Sequence, residues 1–251
     1  MLIVLSPAKA LDESPVAPAP GATGPVFAME AGMLAEKLAG LGPARIGKLM
    51  AISPQLARLN HHRYRQWDHA ALKPAALLFN GEAYRGLAAP TLDAGDRRFA
   101  QHHLRLLSGL YGVLRPWDLI APHRLEMGTK LAMGRGRKDL YAFWGDRITE
   151  ALDQALEASG SAVLVNLASE EYFRSVRPAM LNAPVITPLF KEHTPKGLRM
   201  VAVYAKHQRG AMARWIIRHR LLDPMELKRY DLDGYRHDPG GSTANEWLFA
   251  R

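Results

Sequence analysis

Two short apolar runs, at residues 2–5 and 162–167, constrain this chain most. Runs of this kind read as strands covered on both faces, so helical segments must supply the cover. The first run passes at once into Ser6, Pro7 and Lys9 and has no basic leader, which reads as a buried strand and not as a signal peptide. Phe27, Leu34, Leu38 and Leu41 then recur at helical spacing, with Glu30, Glu36 and Lys37 off that stripe. Gly40 and Gly42 stop this helix, and Pro43 suits the first turn of a second one that runs to about Ile52. Ser53-Pro54 opens a third, through about Gln66.

The Pro- and Gly-rich stretch 14–25, with Pro15, Pro18, Pro20 and Pro25, is expected to be an extended connector without helix or ladder structure. Residues 75–79 read as a strand, and Asp96 as the cap of a helix running to Leu107. Loops and short strands are expected over 108–136, and one long helix over 139–158, ended by Gly160. Further strands are expected at 184–190 and 198–205, then a helix at 207–221 with Met212, Trp215 and Ile216 on its apolar face. Asp223-Pro224 starts a short helix, and Gly234 and Gly241 punctuate a β-rich tail. There is no internal repeat. The pattern predicts an α+β (mixed α/β) fold in a single domain over residues 1–251, with a central mixed sheet and a helical element at about 27–66.

Composition excludes several functions. There is no cysteine, hence no disulfide, thiolate metal site or cysteine nucleophile. No apolar run approaches the roughly 20 residues that cross a bilayer, and no membrane partner is expected. Lys and Arg number 33 against 24 Asp and Glu, giving +9. That excess favours polyanions, nucleic acid above all, although a basic surface kept for solubility has the same composition.

Gly40-Leu41-Gly42-Pro43 followed by Arg45 and Lys48 resembles the helix-hairpin-helix motif of DNA-binding proteins. Two glycines allow a sharp turn and close approach of backbone N–H groups to a phosphate. The second helix begins there, so its positive end faces the same phosphate. Leu41 would pack between the helices, with Ile46 and Leu49 on the inner face. Such contacts position a duplex without reading sequence. A plain αα-hairpin uses the same stop and start chemistry, and that alternative stays open.

Longer blocks carry a family resemblance. They are Ser6-Pro7-Ala8-Lys9-Ala10-Leu11-Asp12, the run from Leu107 through Ser108-Gly109-Leu110-Tyr111-Gly112 to Arg115-Pro116, and Arg124-Leu125-Glu126-Met127-Gly128. Leu140 to Gly145, Asn166 to Ser169 with Glu171-Tyr172, and Tyr204-Ala205-Lys206 with Arg209-Gly210 follow in order. Together they resemble the YaaA peroxide-stress family over essentially the whole chain. The resemblance implies a cytoplasmic protein made under peroxide stress that limits free intracellular iron and oxidative damage. It also implies DNA binding through a helix-hairpin-helix and a positively charged cleft. Ala10, His123, Glu82 and His207-Gln208 depart from the family's usual residues.

Lys9 and Lys206 both follow expected strands, where α/β folds build sites. They could hold phosphate, one of them could act as a nucleophilic amine, or both could simply reach solvent. Arg115, Arg124, Arg209 and Arg214 are candidate phosphate contacts, with salt bridging to Glu126, Glu170 or Glu171 as the alternative. Asp12 and Glu126 are the carboxylates to inspect for acid/base roles. Tyr111, Trp117 and Trp144 could stack on an unpaired base or belong to the core. The adjacent pairs His61-His62 and His102-His103 point about 100° apart on a helix, so no metal site is expected. Gly134-Arg135-Gly136 lacks a dinucleotide fingerprint, and no cofactor is expected. DNA is the expected partner, with no obligate protein partner. An enzyme acting on a nucleobase or DNA end is the alternative, and iron sequestration ranks third.

Overall fold

The computed structural model describes residues 1–16, 21–134, 136–195 and 197–251. Pro18 and Pro20 of the expected connector, and Arg135 of the Gly134-Arg135-Gly136 run, lie outside the described residues.

The chain opens as expected, with β1 (Leu2–Leu5) wholly buried, followed by β2 (Ala10–Leu11). Thr23 makes one isolated bridge to Asp118 in the connector. Helix α1 (Ala28–Ala39) buries Ala31, Leu34, Ala35 and Leu38, the i, i+3, i+4, i+7 stripe of an amphipathic helix. Gly42 starts α2 (Pro43–Met50) with Pro43 at its first position. In α3 (Pro54–Arg65), the Ser53 hydroxyl accepts the Leu56 N–H at 3.3 Å.

The middle of the chain departs from expectation four times. First, β3 (Lys73–Pro74) leads into one helical turn, α4 (Ala75–Leu78), before β4 (Phe79–Asn80), so 75–79 is not a strand. A short buried Ala/Leu run has no periodicity to separate the two, and here the Ala75 and Ala76 amides donate to Asp118 and Pro116. Second, after α5 (Glu82–Leu87), helix α6 (Ala94–His103) is capped by Asp93, with Asp96 reciprocating from the third position. That helix stops at His103, and β5 (Leu104–Ser108) takes the residues assigned to its last turn.

Two short strands follow, β6 (Gly112–Leu114) and β7 (Leu119–Ile120). Third, the long helix at 139–158 is two: α7 (Leu140–Trp144), capped by the Asp139 side chain, and α8 (Arg147–Ala158). Gly145 breaks them at φ +55°, outside the helical range. Next come β8 (Leu164–Leu167), α9 (Glu170–Phe173), β9 (Val185–Thr194) and β10 (Gly197–Arg199). Fourth, the strand expected at 198–205 ends at Arg199, and α10 (Ala202–His219) begins within it. The tail is β11 (Arg236–Asp238) and β12 (Glu246–Ala250).

The main sheet runs β11-β12-β9-β8-β1-β5-β6, with β10 on β9. Its five inner strands are parallel, and β6, β10 and β11 are antiparallel additions. It is the mixed central sheet the sequence predicts. In chain order the parallel strands lie 2-1-3-4-5, so the chain steps to one side of β1 first and then returns to its other side. Doubly wound sheets of this order carry their ligand crevice beyond the carboxyl ends of the first and third strands. Here that place lies between β1 and β8.

Candidate functional site at the carboxyl edge of the sheet

Beyond Leu5 and Leu167, at that switch point, lies a cavity of about 360 Å³. Its inner wall is Ser6 to Ala10 after β1 and Ser169, Glu171 and Tyr172 after β8. The Ser169 N–H stitches the two loops together by donating to Ser6 Oγ at 2.8 Å, and Tyr84 Oη of α5 donates to the Ser6 carbonyl at 3.0 Å. Tyr84 and Tyr172 are both buried, which pushes each phenol well above its ordinary range and keeps both neutral.

The outer wall is α5 and α10. Gly86 and Gly210 let these helices touch backbone to backbone: a Cβ on Gly86 would stand 2.3 Å from the His207 carbonyl oxygen. That contact brings Lys206 and Arg209 to the cavity. Lys206 therefore reaches the site from the second turn of a helix, not from the strand end the sequence suggested.

At the mouth, Lys9 Nζ lies 3.7 Å from Glu126, whose carboxylate also accepts Arg124 Nε at 2.9 Å. Gly109 lets the Arg124–Glu126 segment approach, since a Cβ there would meet the Leu125 carbonyl at 2.3 Å. A small pit of about 20 Å³, room for a single water, lies below and is lined by Ser108, His123 and Glu126. The cavity's carboxylates are occupied. Glu82 pairs with Arg85 at 2.5 Å, and Glu171 accepts the Gly128 N–H at 3.0 Å. Among the described residues the side chains of Lys206 and Arg209 have no hydrogen bond or ion pair. Burial lowers the Arg209 pKa, the expected direction for a guanidinium taken from water without an acceptor.

Five of the eight expected cleft residues thus gather here: Lys9, Arg124, Glu126, Lys206 and Arg209. Three do not. Asp12 accepts from the Ser14 amide and hydroxyl and sits 3.3 Å from buried Lys73, and these contacts hold its carboxyl below the usual range. Arg115 is drawn inward by fully buried Asp118 at 3.1 Å. Arg214 donates to the Leu87 and Ala88 carbonyls and closes the C-terminus of α5. The aromatic candidates belong to the core. Trp144 donates to the Gly109 carbonyl, Trp117 to the Arg97 carbonyl, and the Tyr111 hydroxyl accepts the Ala121 N–H.

Sequence reasoning missed Ser6, Ser169, Tyr84 and Tyr172 as wall residues. Tyr84 and Tyr172 are ordinary residues until a topology joins distant parts of the chain. Ser6 and Ser169, each just after a buried strand, were the legible signals. His61 and His62 lie on α3, while His103 stacks on Phe99 at 4.2 Å and its Nδ1 meets the Met1 carbonyl. Among the described residues no group of three or more His, Asp or Glu could hold a metal ion.

The hairpin region is separate from this cavity. Gly40, Gly42, Ala44, Arg45 and Lys48 are exposed, Leu41 and Leu49 are half-buried and Ile46 is buried. Gly40 and Gly42 have negative φ, and a Cβ on Gly42 would meet nothing within 4 Å. Neither backbone strain nor packing requires glycine at 42. A groove of about 500 Å³ between α1 and the start of α2 is lined by Lys37, Gly40, Leu41 and Arg45, together with acidic Glu36.

Fold and site together define an α/β protein with a cationic crevice at the switch point of a parallel sheet. The family model described as peroxide stress protein YaaA matches residues 1–240. The chain is 50% identical over 255 residues to a UPF0246 protein of Ralstonia nicotianae, covering 100% of this chain and 99% of the relative. It is 49% identical over 257 residues to a UPF0246 protein of Burkholderia vietnamiensis, covering 100% and 98%. The chain belongs to the YaaA peroxide-stress family. No helix among the described residues is long and apolar enough to cross a membrane.

Proposed function

We propose that this protein acts in the cytoplasm during peroxide stress and binds DNA without sequence preference, or by DNA structure. In this reading a helix-hairpin-helix at Gly40, Leu41, Gly42, Arg45 and Lys48 grips phosphates, and the cleft around Lys9, Arg124, Lys206 and Arg209 adds to the positive field. Binding helps limit free iron and oxidative damage to DNA. The observation that carries the proposal is the exposed start of α2, where Gly42 is glycine without a structural need and Arg45 and Lys48 are exposed with no partner among the described residues. Open space at Gly42 suits close approach of a phosphate to the free amides of a helix N-terminus. The excess charge of +9 supports the same partner.

Fluorescence anisotropy with duplex and mismatched DNA across a salt series tests it, comparing wild type with an Arg45→Glu/Lys48→Glu double variant. Weaker binding and a shallower salt slope in the variant are expected. Equal binding by both would make residues 34–52 a structural hairpin.

A second reading makes the cavity a catalytic site for a nucleobase or DNA end, and it rests on the Lys9–Glu126 pair at the mouth. Borohydride trapping of a covalent adduct tests it; a clean negative removes the amine-nucleophile form.

A further inference from the structure

We infer that the cavity at the β1–β8 switch point is a phosphomonoester pocket of nucleotide size, with Arg209 and Lys206 as its phosphate-binding pair. The inference rests on reading this crevice as a ligand site and is independent of the hairpin.

Glu82 and Glu171 line the cavity, but each is committed to other donors, through Arg85 and the Gly128 amide. Lys206 and Arg209 line it with no partner among the described residues. The Gly128 amide is neutral, so Glu171 keeps its charge, and these two cations against that one carboxylate leave the cavity net positive. A guanidinium offers five N–H donors and no acceptor, so once half-buried it calls for an anion. None of its nitrogens is sealed away without a partner, and Arg209 lines the cavity.

Shape gives the size class. About 360 Å³ falls in the lower part of the range of about 300–1,000 Å³ that small-molecule pockets occupy. The remaining wall is mixed. Pro7, Ala8 and the ring faces of Tyr84 and Tyr172 are apolar, whereas Ser6, Ser169 and Asn80 carry hydroxyl and amide groups. A sugar with an attached base fits such a wall, and inorganic phosphate alone would leave it unused. Arg209 with Lys206 provides a fork beside a point charge, which matches a dianionic phosphomonoester better than a diester's single charge. Phosphomonoesters occur on free nucleotides and at the ends of nucleic acid strands.

Calorimetric titration of the full chain with deoxyadenosine monophosphate, deoxyadenosine and inorganic phosphate tests the inference. The monophosphate is expected to bind, more tightly than phosphate, and the nucleoside not to bind. Arg209→Gln should weaken the monophosphate at least about tenfold, and Arg209→Lys should recover part of that loss. Lys206→Gln, on an exposed side chain, gives a second variant that keeps the fold. Anisotropy with 5′-phosphorylated and 5′-hydroxyl oligonucleotides separates the sources. A preference for the phosphorylated end identifies a strand terminus, and its absence alongside monophosphate binding identifies a free nucleotide. Monophosphate binding that is undetectable at millimolar concentration, or that is unchanged in both Gln variants, overturns the inference. The Arg45→Glu/Lys48→Glu variant should retain monophosphate binding, so failure of the hairpin reading and failure of this pocket are read separately.

Discussion

Gly210 and Ala83 are in backbone contact: a Cβ on Gly210 would stand 1.7 Å from the Ala83 carbonyl oxygen. The contact sits in the crossing of α10 on α5 and fixes the cavity's outer wall. Gly210→Ala must separate the two helices and should cost at least about 3 kcal/mol. For a chain of this size that lowers the thermal midpoint by roughly 6–12 °C. A midpoint within about 2 °C of wild type would show that the helices move apart freely and that the wall is not set by this contact.

Gly42 behaves in the opposite way. Its backbone suits any residue and its surroundings are open, and serine is a better N-cap than glycine. Gly42→Ser should leave the thermal midpoint equal or slightly higher while weakening DNA binding several-fold, because the side chain occupies the phosphate's approach. Unchanged affinity in the anisotropy assay would remove Gly42 from the interface.

Buried His123 should tie stability to pH. Burial lowers its pKa to about 4, and its Nδ1 lies 2.9 Å from the Ala121 carbonyl. In the unfolded chain the imidazole titrates near 6.5, so between about pH 6.5 and 4 the unfolded state binds the extra proton. Stability should therefore be complete above pH 6.5 and fall as pH drops toward 4, by on the order of 3 kcal/mol from this group. His103 and His237 shift in the same direction. Urea melts at pH 5 and pH 8 check this: His123→Phe should narrow the difference between them, and an unaltered difference would assign it to other groups.

Asp118 and Arg115 give a test of structure against function. Asp118 is fully buried and accepts from the Thr23 hydroxyl at 2.5 Å, from the Arg115 amide at 2.8 Å and from Arg115 Nε at 3.1 Å. Asp118→Ala strands these donors and should cost about 2–4 kcal/mol in denaturant unfolding. Arg115→Gln should leave DNA affinity and its salt slope unchanged. A measurable loss of affinity would return Arg115 to the cleft.

Local signals that agreed with the final packing could be read in the sequence. The apolar run of β1 is buried as its composition required, and the α1–α3 boundaries follow from Gly40, Gly42-Pro43 and Ser53-Pro54, whose cap and turn chemistry acts within a few residues. Expectations failed where neighbours distant in sequence decided. Leu104 and Leu107 also fit the helical spacing of the segment before them, and the run is strand because β1 and β6 pair with it. Ala75 and Ala76 turn as helix because Asp118 and Pro116 take their amides.

By itself the sequence determined the family, the mixed α/β class, the basic charge and the turn chemistry of the hairpin. Tertiary structure alone decided which cations share a site. Lys9, Lys206 and Arg209 lie up to 200 positions apart, and the switch at β1 with the packing of α10 on α5 brings them to one cavity. It also decided which charges are committed inside the fold, as with Asp12, Arg115 and Arg214. Charge type is fixed by composition, but whether a charge finds a partner depends on distance, and distance between remote residues exists only once the chain has folded.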